Sequence, residues 1–209
     1  MKQIILLALT ACSLSSCSFL IKKALGIKDP KIETYESINE YAKTLTIEPN
    51  ELTFTKDSAS YLELHNLFNG TLEILIFNKS KIYLPYKDDS IACNGPISLT
   101  LKNICNIESR HAPIRREINY DKLLHLLDDH NNALGALNDT TIDFIIFADF
   151  VKYFPKANTQ HIIDWNRGFK EHNGHCNAKI IYVNLDYMES WGISEESIPR
   201  LRVTANSKN

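Results

Sequence analysis

Two nearly continuous apolar runs joined by an amphipathic segment constrain the fold most strongly. Residues 142–147 and residues 179–185 have the composition of strands that are buried on both faces of a sheet. Between them, residues 161–171 carry large apolar side chains at helical spacing. A strand, a helix and a second strand over this distance predict a right-handed crossover between two parallel strands. The sequence therefore predicts an α/β fold.

The remaining apolar periodicity fills in a single domain around this unit. Turn residues separate two short strands and predict a hairpin, and four further segments have helical spacing. The hairpin strands are residues 72–77 and 82–86, and the helices are residues 32–45, 58–68, 97–104 and 120–137. We expect a mixed central sheet flanked by helices, formed by residues 30–209 as one α/β domain.

The amino-terminal segment has the organisation of an export signal. Lys2 precedes a short apolar run at residues 4–11, which is shorter than the roughly 20 residues that a membrane-spanning helix needs. The run is followed by Leu14-Ser15-Ser16-Cys17, which resembles the lipobox of bacterial lipoproteins: an aliphatic residue, two small residues and the invariant cysteine.

The resemblance implies a signal peptide at residues 1–16 and a lipid-anchored tether at residues 17–29. The thiol of Cys17 takes a diacylglyceryl group, and cleavage makes it an amino terminus that is acylated further, with palmitate for example. Several fatty chains hold a protein at a membrane essentially permanently. Ser18 stands where an aspartate would retain the protein in the inner membrane, so the resemblance favours the outer membrane, facing the periplasm.

Two alternatives remain for this segment. Leu9-Thr10-Ala11-Cys12 also fits the lipobox pattern, although cleavage before Cys12 would leave almost no signal core. Residues 4–21 would otherwise form an uncleaved helix, but four serines weaken that segment as a membrane span.

Charge and motifs exclude several classes of function. The chain has a formal net charge of −2, so no large basic field favours nucleic acid. Glycine-rich phosphate loops and the Gly-x-Ser-x-Gly elbow are both missing from the sequence. We therefore expect no cofactor and no nucleic-acid partner, and we favour a protein that is not an enzyme.

The carboxyl-terminal part of the chain resembles the thioredoxin-like family over about 60 residues. The similarity rests on the order of a strand running into residues 148–154, then Asn184-Leu185-Asp186, Trp191-Gly192-Ile193 and Ile198-Pro199. The family pattern places redox cysteines at Val151 and Phe154, where this sequence has none. Without a thiolate there is no nucleophile for disulfide exchange at that position.

A permuted order would complete such a fold. The chain ends soon after Pro199 and lacks the final hairpin and helix of the family, whereas a hairpin and a helix precede the crossover at residues 72–86 and 97–104. This hypothesis requires that residues 72–77 and residues 142–147 belong to one sheet.

Three cysteines remain once the anchor is assigned. Cys93 and Cys105 enclose about a dozen residues, and we predict a disulfide between them in an oxidising compartment. The alternatives are three buried thiols that act as small apolar residues, or a redox pair of Cys93 with Cys105 or Cys176.

Two further groups of polar residues are candidates for ligands. His172, His175 and Cys176 have a spacing that a turn can fold around zinc, but no fourth ligand is identifiable, so we assign no metal site. Asp149 and Asp186 come after the two buried strands, where open α/β sheets bind ligands. Aspartates at such positions are also common helix caps.

The sequence thus favours a lipid-anchored envelope protein whose domain binds an envelope protein or a small ligand without catalysis. The alternative is an envelope thiol-dependent redox protein or enzyme that uses Cys93 with Cys105 or Cys176.

Overall fold

A six-stranded mixed sheet forms the centre of the domain in the computed structural model, which describes residues 22–23, 26–68, 72–86, 97–107, 117–172 and 175–199. Its strands are β2 (Leu52–Thr55), β3 (Ile74–Asn78), β4 (Tyr83–Leu84), β5 (Leu127–Asp128), β6 (Phe144–Phe150) and β7 (Ala178–Asn184). Their order is β4-β3-β6-β7-β2-β5. A separate two-stranded parallel sheet joins β1 (Ile32–Glu33) to β8 (Tyr187–Met188).

The predicted parallel pair lies in the middle of this sheet. β6 and β7 pair in parallel over seven residues, from Phe144 opposite Ala178 to Phe150 opposite Asn184. Side chains of β6 alternate between the two faces, and both faces are buried: Ile146 enters one apolar core and Phe147 enters the other. Burial on both faces is the reason that the sequence of β6 is apolar without alternation.

Helices cover both faces of the sheet. Three of them contribute to the same core as Ile146, and these are α1 (Tyr35–Thr44), α3 (Ile97–Lys102) and α5 (Pro155–Lys170). Two of them contribute to the opposite core, and these are α2 (Ser58–Phe68) and α4 (Tyr120–His125). The prediction of a single α/β domain with a mixed sheet between helices is confirmed.

The predicted helix at residues 120–137 is wrong beyond its first turns. α4 ends at His125, Leu127 then pairs with Thr55 at the edge of the sheet, and a separate 3-10 helix occupies Leu134–Asn138. Asn132 has a positive φ of 56°, which interrupts a helix. The leucines that suggested one helical face therefore belong to three short elements.

The first predicted helix also starts later than its apolar pattern indicates. Thr34 caps α1 in a capping box with Ser37, in which each side chain bonds to the backbone N–H of the other residue. Ile32 and Glu33, the preceding residues, pair with β8 instead. β2 was not predicted, although it extends the sheet beyond β7.

The pairing that the permuted thioredoxin-like hypothesis requires is present. β3 runs antiparallel to β6, with Leu75 opposite Phe147 and Phe77 opposite Ile145. The hairpin partner β4 lies outside β3, and α3 packs along α5. Residues 72–77 and 142–147 therefore belong to one sheet.

The end of the predicted tether already contacts the domain. The backbone N–H of Lys28 donates to the carbonyl of Tyr153 at 2.9 Å. Within the tether, Lys22 forms an ion pair with Asp29 at 2.6 Å. Cys12 and Cys17 lie outside the described residues. Within the part that is described, no helix combines the length and apolar character that crossing a membrane requires.

A glycine allows α3 and α5 to approach closely. A Cβ atom at Gly168 of α5 would lie 2.5 Å from the backbone carbonyl oxygen of Ser98 in α3. The hydroxyl of Ser98 donates to the carbonyl of Asp164 at 3.0 Å, which holds the two helices at this distance. Because a Cβ atom at Gly168 would meet backbone atoms of α3, no side chain could move aside to make room for it.

We expect Gly168→Ala to lower the free energy of unfolding by about 1–3 kcal/mol, because the added methyl group forces the helices apart. Helix propensity alone gives the opposite sign, a gain of about 0.5–1 kcal/mol. Urea unfolding measures the change. Ile163→Ala on the exposed side of α5 is the matched control, expected within about 0.5 kcal/mol of the original chain. A stabilised Gly168→Ala variant would contradict this packing.

Candidate functional site

The carboxyl ends of three parallel strands meet at one edge of the sheet. β2, β6 and β7 all run in the same direction, and Asn184 at the end of β7 is opposite Phe54 on one side and Phe150 on the other. Open α/β sheets bind ligands at this edge. It is also where the sequence places its two candidate aspartates.

Asp149 lies within β6 rather than after it, because β6 extends to Phe150. Its side chain is fully buried, and its two carboxylate oxygens accept hydrogen bonds from the backbone N–H groups of Leu72 (3.1 Å) and Glu73 (2.5 Å). Burial raises the pKa of Asp149 well above its ordinary value, and the two backbone donors oppose that rise. Asp149 therefore fixes the backbone just before the start of β3, where Leu72 has a positive φ of 63°.

Asp186 connects the loops that follow β6 and β7. Its carboxylate accepts hydrogen bonds from the backbone N–H of Lys152 and from the side-chain amide of Asn184, both at 2.7 Å. The side chain is buried, and burial raises the pKa of Asp186 to about 7.

Both carboxylates therefore satisfy donors of the chain itself. Each carboxylate is thus held in place by two hydrogen bonds from the chain around it. The contacts of Asp149 and Asp186 favour a structural role at this edge over the predicted ligand site.

Three aromatic side chains cover the same edge, and none of them was predicted from the sequence. We name Tyr61, Tyr187 and Trp191 the aromatic cap. The Tyr61 ring centroid lies 4.9 Å from that of Tyr187 and 6.0 Å from that of Trp191. The indole N–H of Trp191 donates to the carbonyl of Thr55, the last residue of β2, at 3.3 Å. All three rings are half-buried, so each keeps a solvent-facing surface.

The two positions that the sequence resemblance matched to redox cysteines are apolar and lie directly before α5. Val151 is fully buried, and Phe154 packs edge-on against Tyr153 with ring centroids 4.8 Å apart. The side-chain amide of Asn158 in α5 donates to the carbonyl of Val151, which fixes this loop against the helix. No reactive side chain occupies either position.

The disulfide joins Cys105 to Cys176, across 71 residues of sequence, and not Cys93 to Cys105. Cys93 lies outside the described residues. Cys105 follows α3 and Cys176 precedes β7, and the packing of α3 against α5 brings these two segments together. The predicted pairing used proximity in sequence, whereas helix packing determines the partner of Cys105.

Two of the three zinc-like candidates lie at this disulfide. A ring nitrogen of His172 and the sulfur atoms of Cys105 and Cys176 all lie within 4.8 Å of one another. His175, in contrast, is exposed and outside that group. Cys105 was missed as a ligand candidate because it is distant in sequence.

A cavity of about 400 Å³ lies elsewhere, between the turn of the β3–β4 hairpin and the start of α4. Its lining includes Lys81 and Tyr120, whose ammonium nitrogen and ring centroid are 4.7 Å apart. The cavity lies toward the amino-terminal end of β6, because Asn78 of β3 is opposite Phe144. It therefore involves none of the residues selected from the sequence.

No protein-family model, curated protein or solved structure matches the chain.

Replacing Asp186 should flatten the pH dependence of stability. The pKa of Asp186 is about 7 in the folded protein and 3.8 for an ordinary aspartate, so the folded chain binds this proton more tightly. The stabilising contribution is complete below about pH 4 and is lost as the pH rises to about 7. Asparagine mimics the neutral acid, so the free energy of unfolding of Asp186→Asn should not fall in this way. The variant should exceed the original chain by up to about 4 kcal/mol as the pH rises to about 7.

Urea unfolding at a series of pH values measures this difference. Asp121→Asn on the exposed side of α4 is the control, and its stability should follow that of the original chain at every pH. An Asp186→Asn variant that keeps the original pH slope would show that Asp186 is not buried as described.

Proposed function

We propose that the protein is a lipid-anchored bacterial envelope protein whose α/β domain binds a partner without catalysing a reaction. This proposal rests on the edge of the sheet at which the parallel strands β2, β6 and β7 end. Its carboxylates are engaged by the chain, while the three residues of the aromatic cap are only partly buried. Such an edge offers aromatic contact surface, whereas its two carboxylates are buried.

The chemistry of the aromatic cap favours binding to another macromolecule. Tyrosine and tryptophan are enriched at protein interfaces because they bury large rigid surfaces and keep a polar group available. A protein partner in the envelope fits this surface better than nucleic acid, since the chain carries a net charge of −2.

The anchor would place this edge near a membrane. Lys28 bonds to Tyr153, which follows β6 at its carboxyl end, and only ten residues lie between Cys17 and Lys28. A fully extended chain of that length spans at most about 40 Å. With lipid on Cys17, the partner of the aromatic cap is therefore a component close to the membrane surface. Ser18 favours the outer membrane, with the domain facing the periplasm.

The disulfide supports a location outside the cytoplasm. Disulfides persist in the periplasm and outside the cell, whereas cytosolic reductants keep most thiols reduced. The Cys105–Cys176 bond closes a loop of 71 residues, for which chain entropy gives a stabilisation of about 4 kcal/mol. This bond agrees with an exported domain and is independent of the lipobox resemblance.

A thioredoxin-like arrangement in permuted order is part of the proposal. The antiparallel pairing of β3 with β6 and the packing of α3 on α5 support it. The Ile198–Pro199 bond does not, because it is trans whereas the family motif has a cis bond. The arrangement would assign the loop at Val151 and Phe154 to a redox position that has lost its chemistry.

A redox protein is the second candidate, favoured by one observation. The Cys105–Cys176 disulfide is half-buried rather than sealed, and His172 lies beside it. An imidazole beside a thiol accepts a hydrogen bond or proton from it and so favours the thiolate that disulfide exchange requires. This pair differs from the predicted ones, in which Cys93 was a member.

Metabolic labelling with a fatty acid tests the anchor. We expect label on the original chain and complete loss of label in Cys17→Ala, because Cys17 supplies the thiol that is acylated. Cys12→Ala is the matched control and should retain full label. Label that persists in Cys17→Ala and disappears in Cys12→Ala would move the anchor to Cys12, and no label on the original chain would refute a lipoprotein.

A further inference from the structure

We propose that Cys105, His172 and Cys176 form a zinc site when the disulfide between the two cysteines is reduced. Their three ligand atoms lie within 4.8 Å of one another, and Cys105 is distant in sequence from His172 and Cys176. Two thiolates and one imidazole are ligands that zinc prefers, and three protein ligands leave a fourth position for water. The site goes beyond the proposed binding function and does not depend on it.

Three separately held segments position the ligands. Cys105 lies in the 3-10 helix Ile104–Asn106, whose Ile104 is fully buried in the core beside α3. His172 follows the end of α5. Cys176 is fixed through its neighbour Asn177, whose backbone N–H donates to the Asp143 carboxylate (2.9 Å) and whose carbonyl accepts from the backbone N–H of Asp143 (2.7 Å). These contacts hold the residues that carry the three ligand atoms close to one another.

The hydrogen bond of His172 prepares its ring for a metal. Nδ1 lies 2.6 Å from the carbonyl oxygen of Phe169, and because a carbonyl only accepts, Nδ1 carries the proton. The lone pair is then on Nε2, the nitrogen left for coordination. Metal-binding histidines generally donate their second ring N–H to a carbonyl or carboxylate in this way. The His172 ring also stacks on Phe169, with centroids 5.5 Å apart, which fixes its orientation.

Reduction and metal binding balance as two steps. A dithiol reductant breaks the Cys105–Cys176 bond by exchange, transfers two electrons and two protons to the pair, and becomes a cyclic disulfide itself. Zinc then displaces the two thiol protons into solvent. The resulting site has two thiolate charges against the two charges of the ion, so it is neutral. A neutral, half-buried site carries little desolvation cost.

Cobalt(II) is the probe for this site, because tetrahedral cobalt–thiolate complexes absorb in the visible and near-ultraviolet range and zinc displaces cobalt. The protein is the full chain in detergent with Cys12→Ser, Cys17→Ser and Cys93→Ser, which leaves Cys105 and Cys176 as its thiols. A water-soluble phosphine reduces the pair, taking oxygen from water as phosphine oxide, and is removed before titration.

We expect one equivalent of cobalt to bind the reduced protein, with a sulfur-to-cobalt charge-transfer band and tetrahedral visible bands that zinc abolishes. The oxidised protein should show neither. His172→Ala, which keeps both cysteines, should weaken cobalt binding by at least about 10–100-fold. His161→Ala in α5 is the matched control and should bind like the original protein.

Either of two results would overturn the site. The first is a reduced protein that shows no charge-transfer band, whether or not circular dichroism finds it folded. The second is unchanged cobalt affinity in His172→Ala, which would leave two thiolates binding without the histidine.

Discussion

The parallel pairing of β6 with β7 is the constraint on which the rest of the domain depends. It lies between two apolar cores, so its backbone groups must find partners within the sheet. The seven-residue register pairs the two strands with each other, and β3 and β2 pair with their outer sides. The pairing also determines where the polar chemistry lies. Both strands end at the same edge, and the chain must then satisfy the donors of the loops that leave it. Asp149 and Asp186 do so from buried positions.

The sequence predicts this central unit because its physical signal is local. An apolar run with no alternation indicates a strand buried on both faces, and a helical stripe between two such runs requires a crossover. β2 and β5 escaped prediction for the opposite reason. β2 has four residues and β5 has two, so neither is long enough to show a periodic pattern. Their strand conformation depends on partners far away in sequence. The spacing of the leucines after His125 fits a continued helix. The pairing of Leu127 with Thr55 and the left-handed backbone at Asn132 exclude that helix.

The candidate site was also predicted only in part, because sequence patterns report local structure and not contacts between distant segments. Residue type and strand order indicate that Asp149 and Asp186 lie near one edge, but only coordinates show which N–H groups their oxygens accept. The aromatic cap has no sequence signature, since Tyr61 is distant from Tyr187 and Trp191. Cys105 meets Cys176 and His172 because Gly168 lets α3 approach α5, a contact that no spacing rule contains.

Site-specific photo-crosslinking in intact cells tests the binding account most directly. A photoreactive phenylalanine analogue in place of Trp191 reports on the aromatic cap, and the same analogue in place of Leu99, an exposed apolar residue of α3, is the control. We expect a discrete crosslink to an envelope component at position 191, absent at position 99 and lost in Cys17→Ala. Crosslinking that is equal at the two positions, or absent from both, would contradict the aromatic cap as the binding surface of an anchored protein.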